Sequence, residues 1–132
     1  MVKAVKAKQL TFSMPNKVGL LLDITCALAD AEINIEAICA YEWDETGYFM
    51  LVTNNNPKAK RIISKMGAEV EMVDVITVEM PNRVGQLMKA AQKIAEAGID
   101  IQYLYGSPCA GKTGTIVFKT ANDRKALRVL TA

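Results

Sequence analysis

The segment Met14-Pro15-Asn16-Lys17-Val18-Gly19 decides the fold, because it recurs 66 positions later as Met80-Pro81-Asn82-Arg83-Val84-Gly85. The same spacing relates Ala31-Glu32-Ile33-Asn34-Ile35 to Ala97-Gly98-Ile99-Asp100-Ile101. Residues that recur at a fixed register over a whole segment of chain indicate an internal duplication. The sequence therefore predicts two homologous units in tandem.

Each unit shows the same succession of strand and helix signals. Leu10, Phe12 and Met14 alternate with polar residues, a period of two that is typical of a strand. A helix is predicted next, with Asn16 as its N-cap in the first unit and Asn82 in the second. Two strands joined by a hairpin turn follow, and then a second helix is predicted behind the caps Asn56 and Asp123. In the first unit a last strand is predicted over residues 70–73.

This order of elements, βαββαβ, predicts an α+β fold of two tandem ferredoxin-like units, with antiparallel sheets and the helices on one face. We place the units at residues 1–73 and 74–132. The chain stops after the second helix of the second unit, so this unit is predicted to lack its last strand. A bare sheet edge invites pairing, and the strand Tyr48–Thr53 is apolar on both faces. We therefore expect a homodimer.

Composition argues against several classes of function. A net charge of +2 is too small for a nucleic-acid footprint, and the sequence contains neither a membrane-spanning apolar run nor a secretory signal. Three cysteines without a CxxC pair fit a reducing cytoplasm. The sequence contains no histidine, which excludes catalytic triads based on that residue. We expect a cytoplasmic protein that is not an enzyme and has no cofactor or metal.

The duplicated segment between the first strand and the first helix carries the functional signal. The pattern Pro-Asn-x-Val-Gly places helix-start N–H groups at the end of a strand, with a glycine that lets a ligand approach the backbone. The N-terminus of a helix attracts anions such as a free carboxylate. A purely structural interpretation is also open, in which Asn caps the helix, Gly relieves a tight turn and nothing binds.

Both copies of this segment, together with the Ala-x-Ile-Asn/Asp-Ile segment that follows, resemble the ACT domain. The resemblance spans most of residues 8–131. It implies units that pair side by side and bind amino acids for regulation, with the ligand between the loop of one unit and the second-strand start of its neighbour. Carried over by motif position, the resemblance nominates these ligand-binding residues: Asn16, Val18, Gly19, Leu20, Asn34 and Ile35 in the first unit, and Asn82, Val84, Gly85, Gln86, Asp100 and Ile101 in the second.

The sequence departs from the family pattern at a few positions. Glu32 stands where the motif usually has Gly, and Val18 and Val84 replace the commoner Pro. The two nominated sites also differ from each other, since Leu20 corresponds to Gln86 and Asn34 to Asp100. The preferred hypothesis is a non-catalytic amino-acid sensor. The alternatives are an interaction module that regulates a separate enzyme without a ligand of its own, and a nucleotide-using enzyme.

Two further motifs are treated as coincidental. Residues 106–113 satisfy the phosphate-binding pattern GxxxxGK[ST], but the β-branched residues that follow favour a strand rather than the helix that such a loop needs. Gly47-Tyr48-Phe49-Met50 resembles an RNA-recognition strand, but Asp44 and Glu45 stand beside it instead of basic residues. Cys109 has no activating base nearby in sequence and is interpreted as a bystander.

Overall fold

A computed structural model describes residues 2–108 and 112–131 of the chain. Within these residues it contains six strands and four helices, in the order β1 (Lys3–Pro15), α1 (Leu20–Asp30), β2 (Ile35–Trp43), β3 (Thr46–Thr53), α2 (Asn56–Lys65), β4 (Glu71–Pro81), α3 (Gln86–Glu96), β5 (Ile101–Pro108), β6 (Thr113–Thr120) and α4 (Asp123–Thr131). The predicted α+β class and the repeated βαββα order are confirmed. Over the same residues, no helix is both long enough and apolar enough to cross a membrane.

The chain divides into two compact units. The first unit is Lys8–Val73, and the second combines Met1–Ala7 with Asp74–Ala132. Strands β1 and β4 therefore each contribute residues to both units. These units differ from the predicted ranges 1–73 and 74–132 in the first seven residues of the chain.

The first unit has its helices on one face of its strands. Strand β3 lies between β2 and β1, and β1 is also a neighbour of β4. The antiparallel register aligns Leu51 with both Leu10 and Ile38, so side chains of the three strands share a face. On that face Leu10 and Leu51 belong to the same buried cluster as Ile24 of α1 and Ile63 of α2, whereas Ile38 on the outer strand is exposed. The alternation read in the sequence thus marks the core face of β1.

The second unit repeats this arrangement and completes it with the beginning of β1. Strand β6 lies between β4 and β5, and β1 is the other neighbour of β4. Ala4 is only 8% exposed and belongs to the same buried cluster as Ile76, Val78 and Phe118. Among the residues that the structure describes, α4 is the last element of this unit. Lys3–Ala7 of β1 lies beside β4 in this unit, where the missing last strand was expected to leave a bare sheet edge.

The predicted N-caps of the first helix in each unit are wrong. Helix α1 begins at Leu20 after Gly19, and α3 begins at Gln86 after Gly85, with no side-chain capping bond at either start. Both glycines have left-handed backbone angles, with φ of 89° and 88°. Glycine adopts this region without steric cost, so a tight turn separates the strand from the helix and Asn16 and Asn82 lie three residues before the cap.

The second helix of each unit is capped one residue earlier than predicted. The side chain of Asn55 accepts a hydrogen bond from Lys58 N at 3.2 Å, and that of Asn122 accepts one from Lys125 N at 3.1 Å. Asn56 and Asp123, the predicted caps, instead accept bonds of 2.7 Å from the hydroxyls of Thr53 and Thr120. The repeat is thus preserved at the level of single hydrogen bonds.

The ends of α1 and α3 differ in a way that predicts a stabilising substitution. Glu32 has a left-handed φ of 59° where its counterpart Gly98 has 71°. In both places this residue and the one after it donate their backbone N–H groups to the last carbonyls of the helix; Glu32 N donates to Ala29 O and Ile33 N to Leu28 O, each at 2.9 Å. A side chain in this conformation costs about 1–2 kcal/mol, which glycine avoids at some loss of chain entropy.

Glu32→Gly is therefore expected to raise the free energy of unfolding by about 0.5–1 kcal/mol, and Gly98→Glu to lower it by about 1 kcal/mol. Urea denaturation of the two variants beside the unmodified protein measures both changes. A lower stability for Glu32→Gly would show that the Glu32 side chain makes a contribution larger than the backbone strain.

Candidate functional site

The duplicated loop of the first unit opens into a cleft at the end of β1. The cleft has a volume of about 270 Å³ and is bordered by the loop, the start of α1, the end of β2 and the start of β3. Its lining residues are Asn16, Lys17, Gly19, Leu20, Leu21, Ala40, Tyr41, Glu42, Gly47 and Phe49. All of them belong to the first compact unit.

The floor of this cleft is closely packed. Asn16 N donates to Glu45 O at 2.9 Å, which continues the β1–β3 pairing into the hairpin turn. A methyl group at Gly47 would lie 3.1 Å from Leu20 Cδ2 and 3.2 Å from Phe49 Cε1. The absence of a side chain at Gly47 therefore lets the helix start approach the hairpin, and leaves a short apolar floor beneath a polar rim.

The start of α1 presents backbone donors next to this floor. The first helical bond runs from Asp23 N to Gly19 O at 3.0 Å, and Leu20 N donates to Lys17 O at 3.2 Å. The N–H groups of Leu21 and Leu22 precede any intrahelical acceptor, as is general for a first helical turn. Nothing lies within 4 Å of a Cβ built at Gly19, so the space in front of the cap is open. The arrangement suits a carboxylate.

Charged side chains of both signs surround the first cleft. Lys17 Nζ forms an exposed ion pair with Asp23 Oδ2 at 3.1 Å, which holds the ammonium group at the first turn of α1. On the opposite border, Glu42 Oε2 accepts a hydrogen bond from Glu45 N at 2.8 Å. The cleft therefore has a helix start with a cation on one side and a carboxylate on the other.

The second unit has an equivalent but smaller cleft. Its volume is about 170 Å³, and its lining residues are Met80, Pro81, Asn82, Arg83, Gln86, Leu87 and Ile116. Asn82 N donates to Lys112 O at 2.8 Å, the counterpart of the Asn16 bond to Glu45. The backbone geometry is thus repeated, while Arg83 brings positive charge and none of the described lining residues is acidic.

Only some of the nominated residues line these clefts. Asn16, Gly19 and Leu20 line the first, and Asn82 and Gln86 line the second. Gly85 caps α3 at the border of the second cleft without appearing in its lining. Val18 and Val84 are fully exposed and belong to neither lining.

The nominated residues at the second-strand starts lie away from the clefts of their own units. Ile35 pairs with Thr53 at one end of the β2–β3 ladder, whereas Trp43 pairs with Thr46 at the end beside the loop. At about 3.3 Å per residue, the two ends are roughly 25 Å apart. Asn34 N donates to Asn54 Oδ1 at 2.9 Å, and in the second unit Asp100 O accepts from Ala121 N at 2.9 Å.

Sequence reasoning missed the residues that β2 and β3 contribute to the first cleft. Tyr41, Glu42 and Phe49 line it, and none of them belongs to the duplicated loop. Hairpin register is the signal that reveals them, because pairing Trp43 with Thr46 places Glu42 opposite Gly47 at the end of β1.

Within the residues that the structure describes, neither of the two motifs treated as coincidental has the surroundings that its function would need. Strand β6 begins at Thr113, directly after Lys112, so the helix that a phosphate-binding loop needs is absent at that point. Residues 109–111, including Cys109, lie outside the described residues. Tyr48 stacks on Tyr41 with ring centroids 5.3 Å apart, and the neighbouring Glu42 is acidic, which is a poor setting for RNA.

The fold is a duplicated βαββα unit with a helix-start cleft in each copy, and comparison with known families identifies the class of domain. Residues 5–132 match the model of the ACT domain pair, so the chain belongs to this family. ACT domains are generally regulatory and bind amino acids. A search of curated protein sequences finds no significant match.

Solved structures agree with this assignment. A Bacteroides thetaiotaomicron protein superposes with a TM-score of 0.88 at 29% identity, covering 97% of this chain and 88% of that one. The regulatory subunit of aspartate kinase from Thermus thermophilus, in its ligand-free form, gives 0.67 at 14% identity, with 98% and 94% coverage. Aspartokinase alpha and beta subunits give 0.67 at 22% identity, with 98% and 93% coverage. The last two similarities concern the fold alone.

Proposed function

We propose that this protein is a non-catalytic sensor that binds a free amino acid at the helix-start cleft of its first unit. The observation that carries the proposal is the left-handed glycine cap at Gly19, which begins α1 beside the apolar floor of the cleft with no side chain capping the first turn. The carboxylate of the ligand accepts from the Leu21 and Leu22 N–H groups. Its side chain lies toward Leu20 and Phe49.

The second unit provides a related site at Gly85, with Asn82 and Gln86 as polar contacts. Val18 and Val84 lie within the two loops. The second-strand residues Asn34, Ile35, Asp100 and Ile101 contribute only as residues of a neighbouring unit, because the length of a strand separates them from their own loops. We propose that a homodimer provides such neighbours and that the protein acts in the cytoplasm. The free thiols of Cys26 and Cys39 support that compartment.

A protein-interaction module is the second candidate. Trp43 is 71% exposed on β2, the outermost strand of the first unit, and Tyr41 is exposed on the same strand. Aromatic side chains on an outer strand are typical of surfaces that bind another chain. This candidate predicts a partner protein without any amino-acid ligand.

A thermal-shift screen against the twenty common L-amino acids tests the proposal. A specific ligand at about 100 times its dissociation constant is expected to stabilise the protein by about 2.7 kcal/mol. Gly19→Ala is expected to abolish most of this shift, because a methyl group at the cap distorts the turn that exposes the donors.

Gly67→Ala is the matched control for that substitution. Gly67 has a φ of 102°, and a Cβ built there also meets nothing within 4 Å, but it lies at the end of α2 and lines neither cleft. Both variants carry similar backbone strain, so only Gly19→Ala should lose the ligand response. A protein whose melting temperature responds to none of the amino acids does not have the proposed function.

A further inference from the structure

The two clefts differ most at the end of the second strand of each unit. Glu42 pairs with Gly47 in the β2–β3 register, and Pro108 pairs with Gly114 in the β5–β6 register. Gly47 and Gly114 are counterparts in the repeat, so the position that carries a carboxylate in the first unit carries an uncharged proline in the second. The acid near the first cleft is therefore a property of one unit and not of the fold.

The Glu42 carboxylate is held at the border of the first cleft. Its Oε2 accepts a hydrogen bond from Glu45 N at 2.8 Å, which orients the side chain along the hairpin. An ionised carboxylate accepts about four hydrogen bonds, so this bond leaves capacity for a further donor. Lys17, the cation of the same cleft, is paired with Asp23 at 3.1 Å and does not neutralise Glu42.

We propose that Glu42 makes the first cleft selective for ligands with an α-ammonium group, and that the second cleft accepts carboxylates whether or not they carry one. The inference rests on the proposed function and assigns a ligand class to each cleft. In the first, the carboxylate lies at the start of α1 and the ammonium group donates to Glu42. In the second, Arg83 offers positive charge and no lining acid in the described residues attracts an ammonium group.

Pairs of ligands that differ only in this group provide the probe. An L-amino acid and its 2-hydroxy acid share the carboxylate and the side chain, and differ in an ammonium group against a hydroxyl. A charge-assisted hydrogen bond to Glu42 is expected to favour the amino acid by about tenfold in dissociation constant. The pairs are L-alanine with L-lactate, L-leucine with L-2-hydroxyisocaproate, and L-phenylalanine with L-3-phenyllactate.

Titrations of the full-length protein followed by nitrogen–proton correlation spectra measure the two clefts separately. The Gly19 amide reports on the first cleft and the Gly85 amide on the second, because each glycine caps its helix start. For the pair that binds, the Gly19 signal is expected to give a dissociation constant about tenfold lower for the amino acid. The Gly85 signal is expected to give similar dissociation constants for the amino acid and the hydroxy acid, a ratio near one.

Glu42→Gln is the decisive variant, since its amide oxygen still accepts from Glu45 N while its charge is lost. From the Gly19 signal, the variant is expected to give similar dissociation constants for the amino acid and the hydroxy acid, a ratio of about one. The ratio from the Gly85 signal should not change. Glu45→Gln is the matched control: it removes a charge from the same turn at a side chain that does not line the cleft, and the ratio should persist.

Three results overturn the inference, and they have different meanings. An unchanged ratio at Gly19 in Glu42→Gln refutes the role of Glu42 while amino-acid binding stands. Titration of Gly85 without titration of Gly19 refutes the assignment of ligand classes to the two clefts. If no amino acid and no hydroxy acid moves either signal, the proposed function itself fails, and the inference fails with it.

Discussion

Replacing Ala4 with aspartate is expected to lower the free energy of unfolding by about 3 kcal/mol, because it places an unpaired carboxylate in an apolar core. Ala4 is 8% exposed among Ile76, Val78 and Phe118, although more than seventy positions separate it from them in sequence. Urea denaturation measures the loss. Hydrogen exchange followed by mass spectrometry should locate the largest loss of protection in β6 and α3.

Val5→Asp is the matched control for this substitution. Val5 is the next residue of β1 and is 45% exposed, so the same carboxylate remains hydrated there. A difference of less than about 0.5 kcal/mol between the two variants, the scatter usual for surface substitutions, would contradict the assignment of Lys3–Ala7 to the second unit.

Gly106→Ala is expected to be the second strongly destabilising change, by about 3 kcal/mol. A Cβ at this position would lie 2.5 Å from Thr115 O and 2.8 Å from Ile116 Cα, so the backbones of β5 and β6 would have to separate. The counterpart Ala40 already carries a Cβ opposite Phe49, so the close approach belongs to the second unit only. Chemical denaturation of the purified variant measures the effect.

Gly98→Ala separates steric collision from backbone strain. Gly98 has a φ of 71°, but nothing lies within 4 Å of a Cβ built there, so its replacement is expected to cost only about 1 kcal/mol. If Gly106→Ala costs no more than Gly98→Ala, the close approach of β5 to β6 is relieved by a small shift and does not constrain the sequence.

The elements of the fold were predictable because each sequence signal occurs twice, once in each unit, so the second copy checks the first. The period of two at Leu10, Phe12 and Met14 recurs at Ile76, Val78 and Met80, and both sets lie in strands. The position of Lys3–Ala7 beside β4 was not predictable, because it depends on a pairing between distant parts of the chain. The small Ala4 among lysines gives only a weak alternation, and local periodicity contains no information about a strand's neighbour.

The candidate site was predictable in its loops and less so in its borders. The duplicated Gly19 and Gly85 were identified from sequence, but their role as helix caps was assigned to Asn16 and Asn82, since Asn is the commoner cap and φ is not visible in a sequence. Glu42 was missed because it enters the cleft through hairpin register rather than through a motif.

The central claim is that an amino acid binds at the helix start of the first unit, and a crystal structure of the full chain with a bound amino acid tests it most directly. The amino acid is the one that gives the largest thermal shift. We expect its carboxylate within hydrogen-bond distance of the Leu21 and Leu22 N–H groups and its ammonium group beside Glu42. A ligand bound elsewhere on the protein, or an amino acid in this cleft with its carboxylate directed away from α1, would contradict the claim.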